Sequence, residues 1–259
     1  ILGPNLFLSP CDSVAVMLAN ITRIPGYRDG VPGVARSMPT SRALDVVAAS
    51  QGLPCYETPT GWRFFCNLLE AGRIGLCGEE SFGTSSAHCR EKDGLWAVLF
   101  WLNLLAVDGR SLPEILHAHW QQFGRHHYQR WDYVVEDASR ASELMAALRT
   151  LLPVLRGTNP AGGVIETADD FHYRDPVDAS ESAQQGVRLI FSNGARIVYR
   201  LSGTGTAGAT LRVYLEQHVT GAAAISQSTA MAITPMGQLA AQIARIGHHT
   251  GLSAPTGMI

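Results

Sequence analysis

Apolar positions along the chain switch between two periods. Val14, Met17, Leu18 and Ile21 recur at helical spacing behind a cap, Ser9 or Asp12, which predicts a helix over about 13–23 closed by Ile24-Pro25-Gly26. Ahead of it, Ile1-Leu2-Gly3 and Leu6-Phe7-Leu8 read as a strand. Leu44, Val46, Val47 and Ala48 predict a second helix, started by Thr40 or Ser41. Residues 52–57 and 74–78 read as short buried strands, with a helix after Thr60-Gly61-Trp62 between them. A long helix over about 93–107 follows, and Ser111-Leu112-Pro113-Glu114 restarts a helix through Trp120. Helices alternating with short apolar strands describe an α/β layered domain.

The texture changes after Gly124. Tyr128 to Val135 alternates apolar with polar residues, 139–155 is helical, and Thr158-Asn159-Pro160-Ala161-Gly162-Gly163 is a loop. Three extended segments follow at 171–173, 187–191 and 196–200. The last two are joined by Ser192-Asn193-Gly194-Ala195, whose Asn-Gly is a hairpin signal. Helices over about 208–219 and 234–246 close the chain. The expected organisation is therefore a mixed-sheet α/β/α domain over 1–123. An α+β domain over 124–259 follows, its antiparallel sheet packed against helices.

With 46% hydrophobic residues the chain can bury a real core, and 16% charged residues with a net charge of −2 argue for neither nucleic acid nor a membrane surface as partner. The longest apolar run, 95–107, is interrupted by Asn103 and is too short to span a bilayer. No basic-then-apolar leader opens the chain, so export is not expected. Cys11, Cys55, Cys66, Cys77 and Cys89 contain no CxxC pair, which suits reduced thiols in a cytoplasmic protein. The start at Ile1, without methionine, reads as a processed or truncated product.

The densest candidate chemistry lies at 200–212. Small residues there let backbone N–H groups converge on one anion, Ser202, Thr204 and Thr206 add hydroxyl donors, and a helix start beyond them would add a positive dipole end. Arg200 and Arg212 flank the loop and suit bidentate contact with phosphate oxygens. Phosphate binding and a plain Gly/Thr turn are the two readings, and the arginines favour the first. Gly78-Glu79-Glu80-Ser81-Phe82-Gly83, at a strand's C-terminal end, places acceptors and donors side by side for vicinal sugar hydroxyls, and reads equally as a solvated acidic turn. Arg90-Glu91-Lys92-Asp93-Gly94 reads as a charged helix start. Thr58-Pro59-Thr60-Gly61-Trp62 presents a hydroxyl and a ring, as a sugar platform or as a buried anchor. His117-x-His119, His126-His127 and His248-His249 lack carboxylate or cysteine partners at ligand spacing, so no metal site is expected, and no Cys–His pairing points to a cysteine nucleophile. Asp169-Asp170 and Asp175-Pro176-Val177-Asp178 read as structural.

Taken in order, these stretches resemble the α-D-phosphohexomutases, and most closely the glucose-specific phosphoglucomutase branch. The resemblance runs through Asp12-Ser13-Val14-Ala15-Val16, Arg36-Ser37-Met38-Pro39-Thr40-Ser41, Tyr56-Glu57-Thr58-Pro59-Thr60-Gly61-Trp62, Cys77-Gly78-Glu79-Glu80-Ser81-Phe82-Gly83-Thr84, Arg90-Glu91-Lys92-Asp93-Gly94-Leu95-Trp96, Asp175-Pro176-Val177-Asp178 and the 200–212 loop. It implies that Glu79 and Ser81 grip the sugar, with Thr60, Gly61 and Trp62 as a second sugar-facing loop. Lys92 would stand near the transferring phosphoryl group. Arg200, Ser202, Gly203, Thr204, Gly205, Thr206 and Arg212 would hold the phosphate that is not transferred. The implied reaction interconverts glucose 1-phosphate and glucose 6-phosphate through a phosphoserine and a glucose 1,6-bisphosphate intermediate.

The family's Ser-His-Asn-Pro type phosphoserine loop and its Asp-Gly-Asp-x-Asp-Arg type magnesium loop occur nowhere in this sequence. The resemblance therefore implies the third and fourth domains of a four-domain enzyme. Mg2+ ligands and an N-terminal half would lie elsewhere, and this chain alone would be inactive. A non-enzymatic relative acting as a structural partner, and a phosphomannomutase, are the competing expectations. The intact 200–212 loop argues against the first, and Glu79-Glu80-Ser81-Phe82 against the second.

Overall fold

The computed structural model describes residues 6–160, 162–203 and 208–259. They divide into two compact units: Ile1–His126 with Arg174–Glu181 and Thr220–Ile225, and His127–Tyr173 with Ser182–Val219 and Ser226–Ile259.

The first unit opens with α1 (Pro10–Ala19). Ser9 caps it by accepting from the Asp12 amide, and Pro10 occupies the first turn, where its missing N–H costs nothing. Two 3-10 turns, Ile21–Arg23 and Pro25–Tyr27, lead to β1 (Val34–Ser37), then α2 (Ala43–Ser50), β2 (Cys55–Thr58), α3 (Trp62–Glu70), β3 (Leu76–Gly78) and β4 (Thr84–Ser86). The sheet order is β2-β1-β3-β4; β1 runs parallel to β2 and β3, and β4 turns back against β3. Helix α4 (Gly94–Asp108) is capped by Asp93, and α5 (Leu112–Phe123) carries a full Ser111–Glu114 capping box.

Both faces of this sheet are buried. Val34 and Leu76 join the core formed with α1, α2, α4 and α5, while their neighbours Ala35 and Cys77 pack against Phe65, Leu68 and Leu69 of α3. That alternation makes the unit an α/β/α sandwich. Leu6 and Leu8, expected in a strand, pack in this core instead, and residues 6–8 pair with no strand among the described residues; Ile1-Leu2-Gly3 lie outside those residues.

After α5 the chain continues through β5 (Arg125–Val135), α6 (Ala138–Leu155), β6 (Ile165–Asp170), β7 (Tyr173–Arg174), β8 (Glu181–Ser182), β9 (Val187–Phe191), β10 (Ala195–Ser202) and β11 (Ala209–Val219), which from His127 on build the second unit except for the Arg174–Glu181 segment of the first. Helices α7 (Ala222–Ser226), α8 (Thr229–Ile243) and α9 (Ile246–Thr250) and the short β12 (Gly257–Met258) complete the chain. Six strands form one sheet in the order β12-β5-β11-β10-β9-β6, and β7 pairs with β8 apart from it. Leu189, Ile197, Tyr199, Leu211, Val213 and Leu215 pack one sheet face against Leu144, Met145 and Leu148 of α6 and Ile233 and Ala240 of α8.

The helix expected over 208–219 is strand β11. Leu211, Val213 and Leu215 point into the core while Thr210 and Arg212 alternate outward, a period of two that only a strand satisfies. Helix α8 begins at Thr229, ahead of the expected 234, because Ser228 caps it by accepting from the Met231 amide. Among the described residues no single helix is long and apolar enough to cross a membrane.

Candidate functional site

Three parallel strands end side by side in the first unit, so the loops after Ser37, Thr58 and Gly78 share the C-terminal edge of the sheet. The loop after β3 is tied down by its own backbone, the Glu79 amide donating to the Gly83 carbonyl at 2.7 Å. Glu80 is buried and anchors the loop to the one after β1. Its carboxylate accepts from Ser37 Oγ at 3.0 Å and Thr40 Oγ1 at 3.2 Å, and its amide donates to Thr40 Oγ1 at 2.9 Å.

Glu79 is buried too, with a side chain 2% exposed, yet it faces the polar cluster. Its Oε2 pairs with Lys92 Nζ at 2.6 Å and accepts from Ser81 Oγ at 3.2 Å. Both contacts fall on one oxygen, which leaves Oε1 for a further donor. Lys92 also lies 5.5 Å from the centre of the Trp62 ring, and Trp62 Nε1 donates to the Arg90 carbonyl at 3.0 Å. One ring thus braces the loop that carries the lysine. Thr60 Oγ1 is buried with no hydrogen-bond partner, beside Gly61, whose φ of +135° starts α3. An orphaned hydroxyl next to this cluster is a donor awaiting an acceptor.

Arg90, Glu91, Lys92 and Asp93, expected as an ordinary charged helix start, do more than cap α4. Asp93 accepts from the Trp96 amide at 2.9 Å through Oδ1 and from His88 Nε2 at 2.8 Å through Oδ2, and these bonds hold its carboxyl below the usual range. His88 Nδ1 meets Ser86 Oγ at 2.7 Å, Ser86 meets Tyr27 Oη at 2.6 Å, and Tyr27 accepts from Trp96 Nε1 at 2.7 Å. Only Asp93 and Trp96 of this chain of bonds stand out in the sequence; Tyr27, Ser86 and His88 do not, because they lie on other segments. Adjacent His88 and Cys89 share with Asp93 a cluster whose donor atoms lie within 4.8 Å of one another.

In the second unit the sequence-predicted arginines sit directly opposite each other, Arg200 on β10 against Arg212 on β11. Four positions back along the same two strands Arg196 stands against Glu216, a fully buried pair at 2.8 Å. Like charges opposite each other destabilise a sheet unless something neutralises them. Among the described residues neither Arg200 nor Arg212 meets a carboxylate. Arg200 donates to the Gln185 carbonyl at 3.2 Å and to Tyr214 Oη at 3.3 Å, and Arg212 Nε is buried without a partner. Ser202 closes β10 opposite Thr210, and Gly203 follows with φ +84°. Thr204, Gly205 and Thr206 lie outside the described residues. The dipole end expected beyond this loop is absent, because β11 replaces the helix there. The acidic Asp175 and Asp178 serve α3, each accepting from Asn67 Nδ2.

Residues 10–123 match the model for phosphoglucomutase/phosphomannomutase alpha/beta/alpha domain III, and residues 125–256 match that for the phosphoglucomutase-1 C-terminal domain. The chain belongs to the phosphoglucomutase/phosphomannomutase family. The phosphoglucomutase of Rhizobium radiobacter is 51% identical over 256 residues, covering 99% of this chain and 47% of that protein. Phosphoglucomutase-1 of Homo sapiens is 48% identical over 264 residues, with the same coverage. The crystal structure of the exocytosis-sensitive phosphoprotein pp63/parafusin (phosphoglucomutase) from Paramecium, in its open form, superposes with a TM-score of 0.92 at 47% identity. It covers 100% of this chain and 45% of that one. The chain thus spans about half the length of the family members it matches.

Proposed function

We propose that this chain supplies the sugar- and phosphate-holding loops of a phosphoglucomutase acting in the cytoplasm. In this reading residues 1–123 are the sugar-binding domain and 124–259 the phosphate-binding domain. The observation that carries it is Glu79, a buried carboxylate whose Oε2 is held by Lys92 and Ser81 while Oε1 takes no donor among the described residues. A sugar hydroxyl donates to Oε1, and a neighbouring hydroxyl meets Ser81. Because hydroxyls both donate and accept, the same pair serves a substrate in either orientation. Thr60, with Gly61 and Trp62, supplies a second sugar contact. Lys92 brings positive charge to the phosphoryl group in transit. Arg200, Ser202, Gly203, Thr204, Gly205, Thr206 and Arg212 hold the other phosphate, which relieves the unneutralised arginine pair.

Glucose 1-phosphate and glucose 6-phosphate are the proposed substrates, with glucose 1,6-bisphosphate as intermediate. The phosphoserine belongs to an N-terminal half of the same enzyme. Magnesium, which the resemblance implies, has no fitting donor set among the described residues. Their one close grouping of three metal-capable side chains is His88, Cys89 and Asp93, and a hard ion that takes oxygen ligands does not suit a thiol and an imidazole.

Calorimetric titration of the chain with inorganic phosphate, glucose 1-phosphate and mannose 1-phosphate tests the reading. Glucose 1-phosphate should bind more tightly than its mannose counterpart, with no turnover by the chain alone. Arg200→Ala should weaken phosphate binding by about 10-fold or more, the loss of a charge-assisted contact. A preference for mannose would overturn the substrate, and unchanged phosphate affinity in the variant would overturn the assignment of the arginines.

A further inference from the structure

The cluster of His88, Cys89 and Asp93 is more than a helix cap requires. Asp93 divides its oxygens, Oδ1 capping the Trp96 amide and Oδ2 turned toward His88 Nε2. The thiol takes no part in the cap and the imidazole only braces the capping carboxylate, yet their donor atoms and the carboxylate oxygen fall within 4.8 Å of one another. We propose that His88, Cys89 and Asp93 form an open three-ligand site for a borderline divalent transition ion, Zn2+ or Co2+, on the loop that carries Lys92.

The donor set selects the ion class. One sulfur, one nitrogen and one oxygen suit a tetrahedral borderline ion with a fourth position left to water, and not a hard oxygen-seeking one. Thiolate and carboxylate together balance the double positive charge. Ligands about 2.0–2.3 Å from such an ion stand roughly 3.3–3.7 Å apart. The cluster therefore tightens by about an ångström at its widest and opens by less between His88 and Asp93, movements within reach of partly exposed side chains.

Surrounding groups orient the ligands. Ser86 Oγ holds His88 Nδ1 and is itself held by Tyr27, and Trp96 stacks on the His88 ring at 5.6 Å. This is the outer support that metal-bound imidazoles use. Ser85 Oγ lies 3.5 Å from the Cys89 sulfur and can donate to it once the thiol proton is gone. On binding, the Cys89 S–H bond is exchanged for a sulfur–metal bond and its proton passes to solvent. The imidazole proton moves from Nε2 to Nδ1, where Ser86 accepts it, and no oxidation state changes. Coordination pins residues 88–93 and with them the backbone that carries Lys92.

Titration of the reduced chain with Co2+, followed by visible and near-ultraviolet absorption, tests the site. One ion per chain is expected, with a thiolate-to-cobalt charge-transfer band and the ligand-field bands of a four-coordinate ion, both lost on competition with Zn2+. Cys89→Ser leaves the Asp93 cap untouched and should abolish the charge-transfer band. Cys66→Ser should preserve it, although Cys66 also contacts this loop through the Arg90 carbonyl at 3.0 Å. Ser86→Ala should weaken the ion by about 10-fold or more. His88→Gln, with far-ultraviolet circular dichroism as the check on folding, should lose the four-coordinate spectrum. No charge-transfer band at saturating Co2+, or a band that survives Cys89→Ser, overturns the proposal.

Discussion

Glu79 and Lys92 share a wall with Gly83, and that wall leaves no room for a side chain. A Cβ on residue 83 would lie 2.9 Å from Glu79 Oε2 and 2.9 Å from the Lys92 stem. Glu79 is packed and cannot retreat, whereas Lys92 is 48% exposed and can. Gly83→Ala should therefore push Lys92 away and break the 2.6 Å ion pair rather than unfold the loop. We expect a loss of about 1–2 kcal/mol in stability, in the range of local overpacking, and weaker glucose 1-phosphate binding. Urea midpoints and titration calorimetry read the two effects separately. Adding Lys92→Ala to Gly83→Ala should then cost almost no further affinity, since residues sharing one contact do not act additively. Independent, additive losses would mean that Gly83 does not shape the lysine's position.

The elements show where a sequence speaks and where it stays silent. Helices α1, α4, α5 and α6 announce themselves because their caps and apolar stripes are local. Strand β1 does not. Its Arg36 and Ser37 are fully buried polar residues, made tolerable by Asp45 and Glu57 for the first and by Thr40 and Glu80 for the second. Those partners lie on other segments, so burial of this strand cannot be read from its own four residues. Strand β11 was legible by alternation, yet its alanine, leucines, glutamate and glutamine are good helix formers, and the sheet decides against that propensity. Within the candidate site, Glu79, Ser81 and Lys92 stand out as polar residues between glycines and at a helix start. Glu80 differs from Glu79 only through contacts to the loop after β1. Helix α8 offers a sharp test of packing at this scale. A Cβ on Gly237 would lie 2.1 Å from the Trp131 ring. Alanine in a helix interior gains about 1 kcal/mol over glycine, but overpacking a rigid indole costs about 1–3 kcal/mol or more. Gly237→Ala should therefore destabilise the chain on balance, by about 1–2 kcal/mol in denaturant melts. A raised midpoint would show that Trp131 yields freely.

Over the whole molecule, the response to acid is set by where protons are refused. His119 on α5 is buried, its Nδ1 has no hydrogen-bond partner among the described residues, and desolvation lowers its pKa from 6.5 to about 4 against the opposing pull of Asp12; His126 adds to the lowering. Unfolding returns the imidazole to water, where it regains its ordinary affinity for protons. Between about pH 6.5 and 4 the unfolded chain therefore binds more protons than the folded one, and stability must fall as the pH falls through that window. Above it the contribution is complete, and below it no more is lost from this group. A displacement of that size corresponds to roughly 3 kcal/mol, a large share of a typical folding free energy. Carboxylates such as Asp108, held well below the usual range by hydrogen bonds from Arg110 and Arg23, act at lower pH, while His249, whose pKa burial also lowers, adds to the decline in this window. Urea unfolding of the wild type at pH 7.5, 6, 5 and 4.5 should show this decline, and His119→Leu, which removes both the titrating group and the orphaned nitrogen, should flatten it while raising stability at the acid end. An unchanged slope in the variant would mean that acid unfolds this protein through another group.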